Sequence, residues 1–257
     1  MKISVILVSP KGASNVGGVA RSMGNFGLSE LRIVKPRCNL SGLAAMRMSM
    51  ASYPIVQNAK IFKTFEEAQA DMTYSIALSG RLKDREIPVG RPQDDLFSFA
   101  QKFQKDFHSK DKIALVFGRE ESGLRLAELN RCDKQIYIPT VEDLPSINLS
   151  SAVAITLSAL HFHLPKKMAK TVPLKKTNTK LLRPPKDKEE FFFKRMYELL
   201  DLVKFLNPQN PQHLLEDLRN IYHRALCSDR DLRILFGILK CIEFNVQKPS
   251  KKILKRV

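Results

Sequence analysis

A chain of 257 residues, 44% hydrophobic and 27% charged, is long enough for one sizeable core plus a smaller module. Its 43 Lys and Arg against 26 Asp and Glu give a formal net charge of +17 and an isoelectric point near 9.8, so its simplest partner is a polyanion. The longest apolar runs, such as Ile113–Phe117 and Ala152–Leu160, are too short to span a bilayer, and Met1-Lys2-Ile3 leads into a strand pattern rather than a signal peptide. With no Trp there is no interfacial aromatic belt either, so nucleic acid ranks ahead of a membrane surface.

In chain order, short β-branched runs at Ile3–Val8, Leu31–Val34, Val56–Phe62, Tyr74–Leu78, Lys112–Phe117 and Gln135–Ile138 alternate with helix-like segments through about residue 164. That alternation predicts an α/β domain over residues 1–164 with a mainly parallel sheet. Its last segment, Asn148–Leu164, is small and apolar on almost every side, which suits a helix buried against the sheet or against a second subunit. From Pro165 to Lys188 the composition turns to Lys, Pro and Thr, with nine cations against a lone Asp187. This reads as a basic linker, either a solvated spacer or a phosphate-contacting arm. Three helical patterns follow near Glu189–Phe205, Pro211–Cys227 and Asp229–Val246, divided by Asn207-Pro208 and by Ser228, an N-cap type. They predict a helical domain over 189–247, followed by a basic tail over 248–257.

Cys38, Cys132, Cys227 and Cys241 are scattered without CxxC spacing, so neither a zinc site nor a disulfide framework is expected, and reduced thiols suit the cytoplasm. His161 and His163 alternate within a helix and read as packing or solvent-facing residues. No metal site is expected.

Three segments carry candidate chemistry. The first follows the opening strand and contains Asn15-Val16-Gly17-Gly18-Val19-Ala20-Arg21. A glycine-rich strand-to-helix turn can cradle phosphate, yet the spacing fits neither GxGxxG nor GxxxxGK[ST]. Close helix–sheet packing through Gly17, Gly18 and Gly24, with Asn15 as a helix cap, is the competing reading. In the second, Ala114–Phe117 runs out into Gly118-Arg119-Glu120-Glu121-Ser122-Gly123-Leu124, a strand end of the kind where ligands collect in open α/β sheets. Its acidic residues serve equally as caps for a helix beginning near Leu124. In the third, Ile136-Tyr137-Ile138-Pro139 leads through Pro145-Ser146-Ile147-Asn148-Leu149-Ser150-Ser151-Ala152 into a helix started by Asn148 or Ser146.

Together these segments resemble, in order and separation, the three motifs of the SpoU family within the SPOUT methyltransferases: N-x-G-x-x-x-R, G-x-E-x-x-G-L and I-P-x(n)-S-[LI]-N-[LVS]-S-x-A. Ala77-Leu78-Ser79-Gly80-Arg81 looks like the family's additional donor-pocket segment. The likeness covers Met1 to about Leu164. It implies a trefoil knot in an α/β fold, a homodimer, and S-adenosylmethionine as methyl donor for an RNA ribose 2′-hydroxyl. By the same likeness Leu78, Ser79, Gly80, Gly118, Ile138, Pro145, Ser146 and Ile147 line the donor pocket. Arg21 orients the target ribose and its phosphate, and Asn15, Glu120, Ser146 and Asn148 hold that arrangement, with Glu120 anchoring either the loop or Arg21. The basic linker and short helical C-terminal domain resemble the bacterial tRNA 2′-O-methyltransferases acting on cytidine or uridine at anticodon-loop position 32. Ribosomal RNA, another tRNA position and a non-catalytic RNA-binding role are the alternatives.

Overall fold

The computed structural model describes residues 1–80, 93–141, 143–163, 183–207, 209–225 and 227–247. Seven strands, β1 (Lys2–Val8), β2 (Leu31–Val34), β3 (Lys60–Phe62), β4 (Tyr74–Leu78), β5 (Gln93–Asp95), β6 (Lys112–Phe117) and β7 (Lys134–Tyr137), form one sheet in the order β3-β2-β1-β6-β4-β7-β5. Every pairing is parallel. The helices are α1 (Ala13–Asn25), α2 (Leu43–Ser49), α3 (Tyr53–Gln57), α4 (Phe65–Gln69), α5 (Leu96–Asp106), α6 (Leu126–Asn130), α7 (Leu149–His163), α8 (Lys186–Leu202), α9 (Pro211–Arg224) and α10 (Asp229–Gln247).

Strand side chains alternate between faces, so the near-continuous apolar run of each central strand divides into two cores. Val5, Leu7, Ile76, Ile113, Leu115 and Phe117 meet Val16, Val19, Met23, Phe99, Phe103, Val153 and Leu157 on one face. Ile6, Val8, Ala77, Ala114 and Val116 meet Phe65, Ala68, Met72, Leu124 and Leu129 on the other. Both faces are thus covered, and the strands' carboxyl ends share one edge of the sheet, where a ligand site is expected.

Two local readings differ from expectation. The apolar run Val56–Phe62 is only half strand: Pro54 sits in the first turn of α3, Val56 plugs that helix into the core, and extended pairing starts at Lys60. β5 is a short polar edge strand, held by pairing with β7 and by Lys134 Nζ on Asp94 at 2.7 Å, so it carries no apolar signal.

The C-terminal helices pack around Phe192, Phe193, Leu199, Tyr222, Leu232 and Leu239. Ser228 caps α10, its hydroxyl accepting from Asp231 N–H at 3.2 Å and its own N–H donating to the Asp231 carboxylate at 2.9 Å. Residues 165–182 of the expected linker, and the tail 248–257, lie outside the described residues. The end of that stretch is not solvated: Arg183 and Lys186 are buried, and α8 already starts at Lys186. The reason is a pair of buried carboxylates. Asp133 receives an Arg183 nitrogen at 2.8 Å and Lys186 Nζ at 2.9 Å; Lys186 also reaches Glu189 at 3.1 Å, and Glu189 meets His223 Nε2 at 2.6 Å. Backbone bonds from Lys186 N–H to Met72 O and from Asp187 N–H to Ala70 O, both 2.9 Å, tie the start of α8 to the end of α4. Asp133, Glu189 and His223 present ligand atoms within 4.8 Å of one another. The Lys186 ammonium touches both carboxylates, so it already supplies the positive charge that a cation would bring. No helix among the described residues is long and apolar enough to cross a membrane.

Candidate active site

Strands β1 and β6 are neighbours, in register from Lys2 opposite Lys112 to Leu7 opposite Phe117, so the loops that follow them leave the sheet side by side. After β1 the chain turns through Ser9, whose φ of 50° is left-handed, into Pro10 and then α1. After β6 the second loop returns Glu120 onto that turn. Its carboxylate accepts from Lys11 N–H at 3.1 Å, from Gly12 N–H at 2.9 Å and from Asn15 Nδ2 at 3.1 Å. Unpaired N–H groups and the positive dipole end make a helix start a favourable place for an anion. Burial alone pushes the Glu120 carboxyl upward, but the bonds from Asn15, Gly12 and Lys11 hold it below its ordinary range.

The third segment joins at the same point. Asn148 Nδ2 donates to Asn15 Oδ1 at 3.0 Å, while Asn148 Oδ1 caps α7 by accepting from Ser150 N–H at 3.0 Å and from the Ser150 hydroxyl at 2.7 Å. Asn15 is therefore not a helix cap: Gly12 holds that position, and Asn15 bridges the two other segments from the first turn of α1. Nor do Glu120 and Glu121 cap the helix that follows them. Glu128 does, accepting from Arg125 N–H at 2.7 Å, while Glu121 pairs with Lys11 at 2.6 Å. Asn148, not Ser146, starts α7. The glycines of α1 pack on helices rather than on the sheet: a Cβ at Gly17 would lie 2.4 Å from Ala45 O of α2, and one at Gly18 would lie 2.8 Å from Ser150 Cβ of α7.

Leu78, Ser79, Gly80, Gly118, Ile138, Pro145, Ser146 and Ile147, the eight residues expected at the donor pocket, all line one cleft that is open to solvent. They converge because β4 lies between β6 and β7, with Leu78 opposite both Phe117 and Ile136. The cleft needs the backbone very close at one position. A Cβ on Gly118 would stand 2.1 Å from Gly123 C and 2.2 Å from Leu124 N, because residues 119 and 123 pair as a bridge and fold the loop back. Gly123 closes that turn with a φ of 63°. Ser122, Leu149 and Ala152 also line the cleft and were not among the expected site residues. The small or apolar character of Leu149 and Ala152 had served only as a packing signal.

Glu120 and Ser146 face the cleft; Asn15, Asn148 and Arg21 are not among its lining residues. Arg21 is exposed on α1, one turn beyond the contact of Gly18 with Ser150, and has no ion-pair partner among the described residues. Glu120 thus anchors the loop and leaves Arg21 uncommitted. A cleft with apolar walls and backbone polar groups suits binding of a small donor, and an exposed guanidinium on α1 without an ion-pair partner among the described residues suits positioning of an anionic acceptor.

Residues 2–158 match the model of the SpoU rRNA Methylase family, and residues 187–252 match that of the tRNA methyltransferase TrmJ C-terminal domain. A tRNA (cytidine/uridine/adenosine-2′-O-)-methyltransferase TrmJ from Pseudomonas aeruginosa is 34% identical, covering 93% of this chain and 92% of its own. A tRNA (cytidine-2′-O-)-methyltransferase TrmJ from Methanocaldococcus jannaschii is 37% identical, covering 93% and 98%. Among solved structures, TrmJ from Z. mobilis aligns over 95% of this chain and 100% of its own, with a TM-score of 0.79 at 24% identity, which speaks for the fold. A probable methylase family protein from Haemophilus influenzae aligns over 95% and 97% with a TM-score of 0.57 at 28% identity. With its three motif loops joined at one strand edge and its likeness to these relatives running nearly end to end, the chain belongs to the SpoU methylase family.

Proposed function

We propose that this chain transfers a methyl group from S-adenosylmethionine to a ribose 2′-hydroxyl of tRNA, at anticodon-loop position 32. The observation that carries the reading is the union of the three motif loops through Glu120, Asn15 and Asn148 beside the cleft, with Arg21 free of ion pairs among the described residues. The TrmJ names of the relatives and the match of the C-terminal helices support tRNA over ribosomal RNA.

The cleft fits the donor: Leu78, Ile138 and Ile147 offer apolar edges for an adenine, and the close backbone at Gly80 and Gly118 leaves peptide groups available for its polar atoms. When bound, the donor would supply an electrophilic sulfonium methyl for the ribose oxygen, the hydroxyl proton passing to a neighbouring phosphate or water. The chain's own work is positioning. Guanidinium groups stay protonated in proteins, so Arg21 holds the target phosphate and stabilises the developing alkoxide rather than removing the proton. Asn15, Glu120 and Asn148 keep α1 and α7 in register for that, and Ser146 lines the cleft.

Three further features belong to this reading. The loops at 118–124 and 138–148 are read as the bends of a trefoil knot. A surface hollow lined by Phe26 at the end of α1, Phe97 of α5 and Ala154, Ile155, Ser158 and Phe162 of α7, with Phe97 and Phe162 exposed, supports a homodimer with the site near its interface. The four free cysteines and a tRNA substrate fit a cytoplasmic location.

The test is incubation of the purified chain with labelled methyl donor and either total tRNA or ribosomal RNA, followed by mapping of alkali-resistant linkages. A 2′-O-methyl at position 32 is expected; incorporation into ribosomal RNA alone would overturn the tRNA reading, and incorporation into neither would overturn the enzyme.

A further inference from the structure

The segment that packs beside α1 is one-signed in sequence. From Leu31 to Thr64 the sequence holds six Lys and Arg and neither Asp nor Glu. Two of the six are engaged: Arg32 is buried against Glu30 and Asp71, and Lys60 lies 3.7 Å from Glu30. Lys35, Arg37, Arg47 and Lys63 are exposed and have no ion-pair partner among the described residues.

Three of these are built into the neighbourhood of the site. Lys35 takes a left-handed φ of 45° at the end of β2, its N–H donating to Phe62 O at 3.0 Å, and the loop then swings so that Arg37 N–H donates to Pro10 O at 2.9 Å. The loop after β2 is thereby fastened to the turn that Glu120 clasps. Cys38, the next residue, has its thiol pushed up by burial and by the charge of Glu120, which places the loop within that carboxylate's field. Arg47 lies on α2, the helix pressed onto α1 at Gly17, one turn before Arg21. Around Arg47, α2 exposes Leu43 (63% exposed) and Met46 (43%), and Met50 (62%) follows directly after the helix.

We infer that Lys35, Arg37, Arg47 and the apolar side chains on and just after α2 form a cradle for the RNA strand flanking the target nucleotide, phosphates on the cations and unstacked bases on Leu43, Met46 and Met50. This rests on the methyltransferase reading and names the surface that presents the ribose to Arg21. A single-stranded loop offers both a chain of negative charge and flat apolar faces, the combination that the unpaired cations and exposed apolar side chains of this segment complement. A second copy of a chain carrying +17 is electrostatically disfavoured at the same place.

The experiment compares the full chain with Arg37→Ala, Arg47→Ala, the double variant, and Lys102→Ala on α5 as an equal charge change elsewhere. Binding to tRNA is measured against salt, methyl transfer gives kcat and KM, and binding of S-adenosylhomocysteine reports an intact fold and donor pocket. The double variant is expected to weaken tRNA binding at least about tenfold, to reduce the slope of log affinity against log salt by about 0.7–0.9 per arginine, and to raise KM. Product affinity should stay within about twofold, and Lys102→Ala should change little. Wild-type affinity and slope in the double variant, or an equal loss in Lys102→Ala, would overturn the cradle. A changed sedimentation coefficient with unchanged tRNA affinity would also overturn it, assigning the face to a second copy. Wild-type chain that binds tRNA through these arginines but transfers no methyl group would overturn the enzyme reading instead.

Discussion

Asn15 donates from Nδ2 to the Glu120 carboxylate at 3.1 Å, across 105 residues of sequence. The carboxylate can only accept, so the amide nitrogen must face it and Oδ1 is left to receive Asn148 at 3.0 Å. One side chain thereby joins all three motif loops, and it does so only with an amide.

Asn15→Asp would set two carboxylates against each other and also lose a donor, so about 1–3 kcal/mol of stability should disappear. Calorimetric unfolding and methyl transfer check this: a fall in melting temperature with turnover down at least about tenfold is expected. The Glu120 carboxyl sits below its ordinary 4.5, so its stabilising contribution is complete above that pH and drains away only as pH falls through the lower folded value.

Arg21→Ala should reduce methyl transfer by about 10²–10³-fold, the usual loss when a charge-stabilising donor is removed. S-adenosylhomocysteine affinity should not move, since Arg21 does not line the cleft. Arg21→Lys is expected to recover little, because an ammonium cannot grip a phosphate through two parallel bonds. Near-normal turnover in either variant would remove Arg21 from the mechanism.

Gly118→Ala drives a methyl into the backbone of residues 123 and 124 at 2.1–2.2 Å. The loop must open, so product binding by calorimetry should be lost. Retained affinity would mean the donor does not depend on this loop.

The buried group of Asp133, Arg183, Lys186, Glu189 and His223 gives a pH signature. Burial pulls the His223 imidazole below its ordinary 6.5, against the opposing pull of Glu189, so the folded protein binds this proton less readily than the unfolded chain does. Its unfolded form takes up a proton as pH falls below about 6.5, and stability should decline in that direction. Melting temperatures between pH 8 and pH 5 test it, with a flat profile as the contrary result. Asp133→Asn removes one partner from buried cations and should cost about 3–5 kcal/mol. Limited proteolysis should then cut ahead of α8 faster than in the wild type.

Much of this protein was legible in one dimension, for a local reason. Strand and helix periods are properties of short segments, and they predicted the parallel α/β sheet and the C-terminal helices, whereas the residues found around the cleft followed from the resemblance of the motif segments to the SpoU family. Val56–Phe62 and Gln93–Asp95 were misread or unseen because Pro54 and edge pairing, not apolar pattern, decide them. Only the tertiary structure placed β4 between β6 and β7, closed Glu120 on Asn15 instead of Arg21 or the next helix, and drew Arg183 and Lys186 out of a basic run onto Asp133. Each of these is a pairing between residues far apart in the chain, where a charge or a strand edge finds its partner only after the fold has brought the two together, and nothing in either segment alone carries that choice.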